Sequence, residues 1–295
     1  MTQTNCTAPA RIRLSEFSLI CVTGADRIAF LQGQLTNDIT KLVDGTLMTA
    51  GYCSPKGRLL ATPRLFCVGE SVYLIVPANQ AETLIKRLKM FVMRSKVTLS
   101  LVEDKALYAT FDGNAKSALG LIFELANGTE SVLETLNLPK ARYLTVDTPD
   151  LDAETDTSVF DACEIAAGRV WVSAATMDQF VPQAVNLECI GGVSFSKGCY
   201  TGQEIVSRVE HIGKTNRRVA LCMLEGALTP APMTDVVDLD GNPVGVVVQS
   251  ATVNGKTLAL VQLSVADIEN PDFKARIHDV EIKLYNLPYP YQRAL

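Results

Sequence analysis

The sequence predicts an α+β protein: an N-terminal region that mixes strands and helices, followed by a small β-barrel. From Arg218 onward the apolar pattern is that of strands ("RRVALCML", "PVGVVVQSATV", "KTLALVQL", "ARIHDVEIKLY"), broken by the turns "DGNP" and "NGK". Before that point helical spacing recurs, with Ile28, Leu31 and Leu35 in "DRIAFLQGQLTND" and Leu84, Ile85 and Leu88 in "NQAETLIKRLKMF". At 295 residues the chain is long enough for two or three units of roughly 100 to 200 residues each.

In order, "FSLICVTG" predicts a strand and "DRIAFLQGQLTND" a helix. "TLMTAGYC", "RLLATPRLFCV" and "SVYLIV" follow as strands separated by Pro, Gly and charged turns. Asn79 with Glu82 three residues on marks a helix start, and "KVTLSLV" returns to strand. Strands around a helix over residues 46–102 suggest a split βαβ subdomain. Residues 127–158 are polar and acidic with one strand at "RYLTVD", and "SVFDACEIAAGRV" is a helix that ends near Gly168. The closing β segment, about 80 residues, forms the barrel.

With 47% hydrophobic and 20% charged residues the composition is that of an ordinary globular protein. No apolar run approaches the roughly 18 residues of a membrane helix, and the start lacks the apolar core of a signal peptide. A cytoplasmic location is therefore expected. Eight cysteines without a CxxC pair, and only two histidines, argue against a zinc site. In a reducing compartment disulfides are not expected either, and most of the thiols suit small core positions. A net charge of −5 argues against nonspecific coating of nucleic acid. Two basic stretches remain, "KRLKMFVMRSK" (Lys86 to Lys96) and "GKTNRR" (Gly213 to Arg218); the plainer account is a solvated helix face and a basic loop.

The stretch "SFSKGCYTGQEIVSR" raises a chemical question. Thr201 and Glu204 match a capping box ahead of "IVSRV", which places Cys199 just before a helix N-terminus with Lys197 two residues back. Both influences favour thiolate over thiol, and Gly198 and Gly202 keep the flanking backbone permissive. A small residue in a tight turn fits the same pattern. A lone cysteine cannot close a metal site, so a metal would need ligands from a partner or cofactor. His211 could act as a base, but no orienting acid is in view.

The run Phe180 to Arg218 resembles the signature region of the YgfZ family, folate-binding proteins that support iron–sulfur cluster assembly and tRNA modification. The likeness centres on the core Lys197, Gly198, Cys199, Tyr200, Thr201, Gly202, Gln203 and Glu204. "VTGADRIAFLQGQLTND" and "CSPKGRLLATPRLF" resemble the family's N-terminal blocks in the same order. The resemblance implies a T-protein/YgfZ-like fold: a folate-binding region over 1–217 with a ferredoxin-like subdomain at about 46–126, and a β-barrel over 218–295.

It further implies a tetrahydrofolate-binding accessory factor, rather than a conventional enzyme, that supports iron–sulfur enzymes and thereby tRNA thiolation through Cys199 and Lys197. Folate and iron–sulfur proteins or their assembly machinery are the expected partners, with tRNA engaged indirectly and no membrane. Two departures stand out. Ala61 and Thr62 occupy the stretch where the related aminomethyltransferase carries an aspartate, and neither does a carboxylate's work. The run Ile165-Ala166-Ala167-Gly168 lacks the acid of the family's I-E-A-G pattern, Glu164 lying two residues earlier. Phe17 and Phe160 stand where family members place folate-contacting tryptophans; they keep a stacking ring and lose the indole N–H. The alternatives are a tetrahydrofolate-dependent one-carbon transferase and a direct tRNA binder using Lys86 to Lys96 and Arg208 to Arg218.

Overall fold

The structure is a computed structural model that describes residues 11–111, 115–212 and 215–290. The chain opens with β1 (Arg11–Arg13), β2 (Phe17–Thr23) and α1 (Arg27–Gln34). A β-rich stretch follows: β3 (Met48–Thr49), β4 (Tyr52–Cys53), β5 (Leu59–Ala61), β6 (Arg64–Val68) and β7 (Ser71–Pro77), then α2 (Ala78–Val92) and β8 (Thr98–Val102). The middle holds β9 (Ala106–Thr110), β10 (Leu121–Glu124), α3 (Glu130–Thr135), β11 (Tyr143–Asp147), α4 (Ser158–Ala166) and α5 (Gln203–His211). The last part is β12 (Arg217–Glu225), β13 (Asp235–Val237), β14 (Pro243–Val253), β15 (Lys256–Ser264), α6 (Val265–Glu269), β16 (Arg276–Ile277), β17 (Val280–Glu281) and β18 (Lys283–Tyr285). None of the described helices is long and apolar enough to cross a membrane.

The chain forms two compact units. One gathers Ser15–Ala106 and Trp171–Arg218; the other gathers the segment ending at Leu14 with Leu107–Val170 and Val219–Pro288. Residues 107–170 thus share a unit with the C-terminal sheet.

The first of these is built on an antiparallel five-stranded sheet in the order β3-β6-β7-β2-β8. Strands β7 and β8 flank β2 and both run antiparallel to it, so β7-α2-β8 is a split βαβ unit whose slot β2 fills from outside residues 46–102. Helix α2 forms because its apolar residues recur at helical spacing: Ala81, Leu84, Ile85 and Leu88 are buried, in one core with Ile20, Val22, Val72, Leu74 and Val76. Each large aliphatic side chain so withdrawn from water contributes about 1.5–3 kcal/mol. The helix starts one residue ahead of the expected Asn79, directly after Pro77, whose φ of −53° already suits helix entry.

The second unit carries the antiparallel, barrel-like seven-stranded sheet, in the order β17-β16-β13-β14-β15-β12-β18. Alternation sets its core: Ala220, Cys222 and Leu224 on β12 face the same interior as Ala259, Val261 and Leu263 on β15. Helix α4 packs on β14 and β15, and a second sheet runs β1-β9-β11-β10. The sequence pattern marks none of β1, β9, β10, α3, β13 and α6, and α6 interrupts the stretch after Arg218 that the pattern predicts to be β throughout. Helix α3 is only six residues of mostly polar sequence, and it is held by burial of Val132 and Leu133, a tertiary effect. Glu164 of α4, fully buried, pairs with the equally buried Arg142 at 2.7 Å.

Candidate functional site

The segment around Cys199 is held by two blocks of the same unit that are distant in sequence. Ser194 donates its N–H to the Thr36 carbonyl at 2.9 Å, Thr36 Oγ1 donates to the Gly192 carbonyl at 2.6 Å, and Asn37 Nδ2 donates to the Gly191 carbonyl at 2.8 Å. Lys197 completes this seam. Its Nζ donates to the carbonyls of Gln32, Leu35 and Asn37 at 2.5, 2.6 and 2.9 Å, a cation capping the C-terminal end of α1 and the turn that leaves it. Burial pushes the Lys197 ammonium down to about 8, so it stays charged at neutral pH. The three donors of the ammonium are committed to these carbonyls, and the residue acts as a tether.

On the other side of Cys199 the chain meets the turn between β4 and β5. Gly202 has φ +83°, and a Cβ there would stand 2.5 Å from the Ser54 carbonyl oxygen and 2.9 Å from the Gly57 Cα. Gly57 has φ +69°, and its Cβ would meet Ile205 at 2.7 Å. The two glycines let the two turns touch backbone to backbone. This contact overturns the capping box expected at Thr201 and Glu204. Gly202 occupies the N-cap, no side chain caps α5, and Glu204 instead pairs with Arg208 at 3.0 Å. A left-handed Gly202, demanded by the close approach, shifts the helix start one residue beyond the position Thr201 would cap.

Gly202→Ala is expected to lower stability by at least about 3 kcal/mol, since a left-handed residue gains a Cβ against backbone that cannot yield. Gly198→Ala, with nothing within 4 Å of its Cβ position, should stay within about 0.5 kcal/mol. Urea melts of the two variants check the contrast; equal losses would refute it.

Cys199 itself is the exposed thiol among the described cysteines. Cys53, Cys163 and Cys222 are buried, and burial pushes each up to about 12; Cys67 and Cys189 are raised to about 11, again mainly by burial. Cys6 lies outside the described residues. Lys56 and Arg58, on the turn that meets Gly202, are both exposed. Beside them Ser54 Oγ donates to Asp178 Oδ1 at 2.8 Å. His211 is at the far end of α5, about 12 Å along the axis from Gln203, and sets its ring edge-on to Phe195 at 5.9 Å. No cluster of three or more His, Cys, Asp or Glu suited to a metal occurs among the described residues.

Tyr200 turns inward: its ring is 6% exposed, Lys197 Nζ stands 5.1 Å from the ring centroid, and its hydroxyl is buried without a partner. Gln203 Oε1 accepts the Tyr200 N–H at 3.3 Å.

A second group of side chains in this unit surrounds Trp171, the one tryptophan of the chain. Phe17 packs on it at 4.6 Å between centroids and the Arg64 guanidinium lies 4.3 Å over its ring. Gln80 Nε2 donates to the Val172 carbonyl at 2.9 Å, while its Oε1 is buried with no donor. Thr62, expected to stand in for a catalytic carboxylate and unable to, accepts the Val172 N–H at 3.0 Å. The sequence reading passed over Trp171, although its being the sole tryptophan was a signal. Two rings tilted at 57°, a cation over one of them and an unmet acceptor nearby suit a flat ligand ring that carries N–H donors. In the other unit Phe160 lies on α4 and is 1% exposed.

No family model matches the chain. Curated relatives do. The tRNA-modifying protein YgfZ of Serratia proteamaculans is 30% identical over 308 aligned residues, covering 96% of this chain and 92% of its own. Those of Yersinia enterocolitica and Yersinia pseudotuberculosis are 34% and 33% identical over 240 residues, covering 75% of this chain and 72% of theirs. Among solved structures, glycine cleavage system aminomethyltransferase T from Bartonella henselae matches with a TM-score of 0.68 at 15% identity, over 95% of this chain and 86% of that one. At such identity the likeness is one of fold, and it gives the α+β, T-protein-like architecture expected from the sequence. With relatives this similar over nearly its whole length, the chain belongs to the YgfZ family.

Proposed function

We propose that this protein is a tetrahydrofolate-binding accessory factor that supports iron–sulfur enzymes, and through them tRNA modification, with Cys199 as its working thiol. The observation that carries the reading is the exposed Cys199 on a loop tethered on both sides, by Lys197 and by the Gly57–Gly202 contact. The shared name of the relatives, tRNA-modifying protein, supports the tRNA part. When bound, tetrahydrofolate supplies a reduced pterin that carries one-carbon units. Phe17 and Trp171 would hold its ring, and Gln80 Oε1 would accept one of its N–H groups. Lys197, Gly57 and Gly202 hold the thiol outward, where a protein partner or its cluster can reach it. The one-carbon transferase alternative draws on fold likeness alone, and Ala61 and Thr62 provide no carboxylate for it.

The test is Cys199→Ala. The variant should melt as the wild type does and retain tetrahydrofolate binding, yet fail to restore tRNA thiolation in cells that lack the protein. Full restoration sinks the role of the thiol. Phe17→Ala should lose tetrahydrofolate affinity by about tenfold through the lost stacking, measured by calorimetry, and unchanged affinity removes the proposed ligand site.

A further inference from the structure

The last turn of α2 and the residues that lead into β8 present a surface that the Cys199 loop and the Trp171 cluster do not involve. Residues 86–96 carry +5 in a chain of net −5, so the remainder is −10. From Thr83 to Val102 the sequence has no acid. Lys86, Lys89, Arg94 and Lys96 are exposed, while Arg87 is half-buried and bonded to Tyr52. Glu82 reaches only Lys86, at 3.6 Å in an exposed pair. Lys86, Lys89 and Met90 share the outward face of α2, opposite the buried Leu84, Ile85 and Leu88.

A solvated helix face accounts for the lysines. It does not account for three large apolar side chains among them: Met90 at 66%, Phe91 at 44% and Met93 at 88% exposure. Cations interleaved with an exposed aromatic ring are the chemistry of single-stranded nucleic acid recognition, where ammonium and guanidinium groups take phosphates and a ring takes an unstacked base. An anionic membrane would also attract cations around an apolar tip. Screening confines the attraction to about 10 Å from the patch for either partner, and the relatives' shared name, tRNA-modifying protein, favours RNA. The second basic stretch adds little: Arg208 pairs with Glu204, Arg218 is buried against Glu188 at 2.7 Å, and Gly213 and Lys214 lie outside the described residues.

We infer that the α2–β8 surface binds RNA directly, with Lys86, Lys89, Arg94 and Lys96 on the phosphates and Phe91 on a base of an exposed loop. The inference rests on the tRNA-directed role proposed above and gives it a direct contact where the family resemblance implies an indirect one. The test is fluorescence anisotropy of the full chain with a labelled, unmodified tRNA transcript between 50 and 200 mM salt. About four phosphate contacts to a single strand imply a log–log slope near −3, an affinity loss of about 50-fold over that range. The K86A/K89A/R94A/K96A variant should lose binding and slope together. Phe91→Ala should weaken binding about tenfold with the slope kept. All five positions are exposed, and unchanged melting curves confirm that the variants fold. Absence of tRNA binding by the wild type, or equal binding by the quadruple variant, overturns the inference. So does uptake on phosphatidylserine vesicles that depends on these residues while tRNA is ignored. None of these outcomes touches the Cys199→Ala result in cells, so failure of the surface and failure of the thiol's role are separable.

Discussion

Arg142→Met is expected to lower the unfolding free energy by about 3–5 kcal/mol, because it takes from the buried Glu164 carboxylate the guanidinium that pairs with it. The Arg142 Nη1 to Glu164 Oε1 distance is 2.7 Å, and Nη2 donates to the Ala126 carbonyl. Removing two charges from water costs nearly as much as their attraction returns, so the pair as a whole adds little net stability, whereas half a pair is costly. The double variant Arg142→Met/Glu164→Leu should therefore recover most of the loss. Urea midpoints of the three proteins decide it: a single-variant loss under about 1 kcal/mol, or a double variant no better than the single, would refute the account. The pair also bears on the folate question. Glu164, two residues before the position of the acid missing from Ile165-Ala166-Ala167-Gly168, is engaged with an arginine of its own unit.

Above about pH 8.5 stability should fall, and buried thiols are the reason. An unfolded cysteine loses its proton near 8.5, while burial holds Cys53, Cys163 and Cys222 protonated to about 12. Between those values unfolding releases protons, so the stability present below 8.5 is lost as pH rises. At pH 9.5 each thiol costs about 1.4 kcal/mol and the three together about 4, a large part of a typical total of 5–15 kcal/mol. Lys197 opposes this. Its folded value, about 8, lies below the unfolded one, so over the same range unfolding takes up a proton there and stability rises with pH, by about 2 kcal/mol at pH 9.5. With Lys197 set against the three thiols the net loss at pH 9.5 is about 2 kcal/mol; thermal midpoints should drop between pH 7.5 and 9.5 for the wild type, and less for the variant carrying Cys53→Ala, Cys163→Ala and Cys222→Ala, compared with its own midpoint at pH 7.5. Equal drops in both proteins would remove the thiols as the cause.

The interaction partners of the motif could not be read from the residues alone. Lys197 two positions before Cys199 looks like a charge aimed at the thiol, yet its ammonium bonds to carbonyls from residues 32 to 37, some 160 positions earlier in the chain. Thr201 and Glu204 satisfy every local requirement of a capping box, and the box fails because Gly202 must let the turn at Gly57 come within van der Waals reach. Trp171 carries no sequence motif; its relevance appears only once Phe17, Arg64 and Gln80 are around it.

What the sequence by itself determined is whatever depends on neighbours along the chain. Apolar periodicity placed α1, α2, α4 and most strands, the β pattern after Arg218 announced the seven-stranded sheet, and the run Phe180 to Arg218 with two N-terminal blocks carried the resemblance to the family that the relatives show. Only the tertiary structure decided that β2 fills the slot between β7 and β8, that residues 107–170 share a unit with the C-terminal sheet, that Glu164 has a buried cation, and that Cys199 stands exposed on a loop held from two sides. The reason is physical. Periodicity and propensity are set within a few residues, whereas a hydrogen bond to a distant carbonyl, a backbone contact between two glycines or a buried charge pair has its energy only when segments far apart in sequence are brought together.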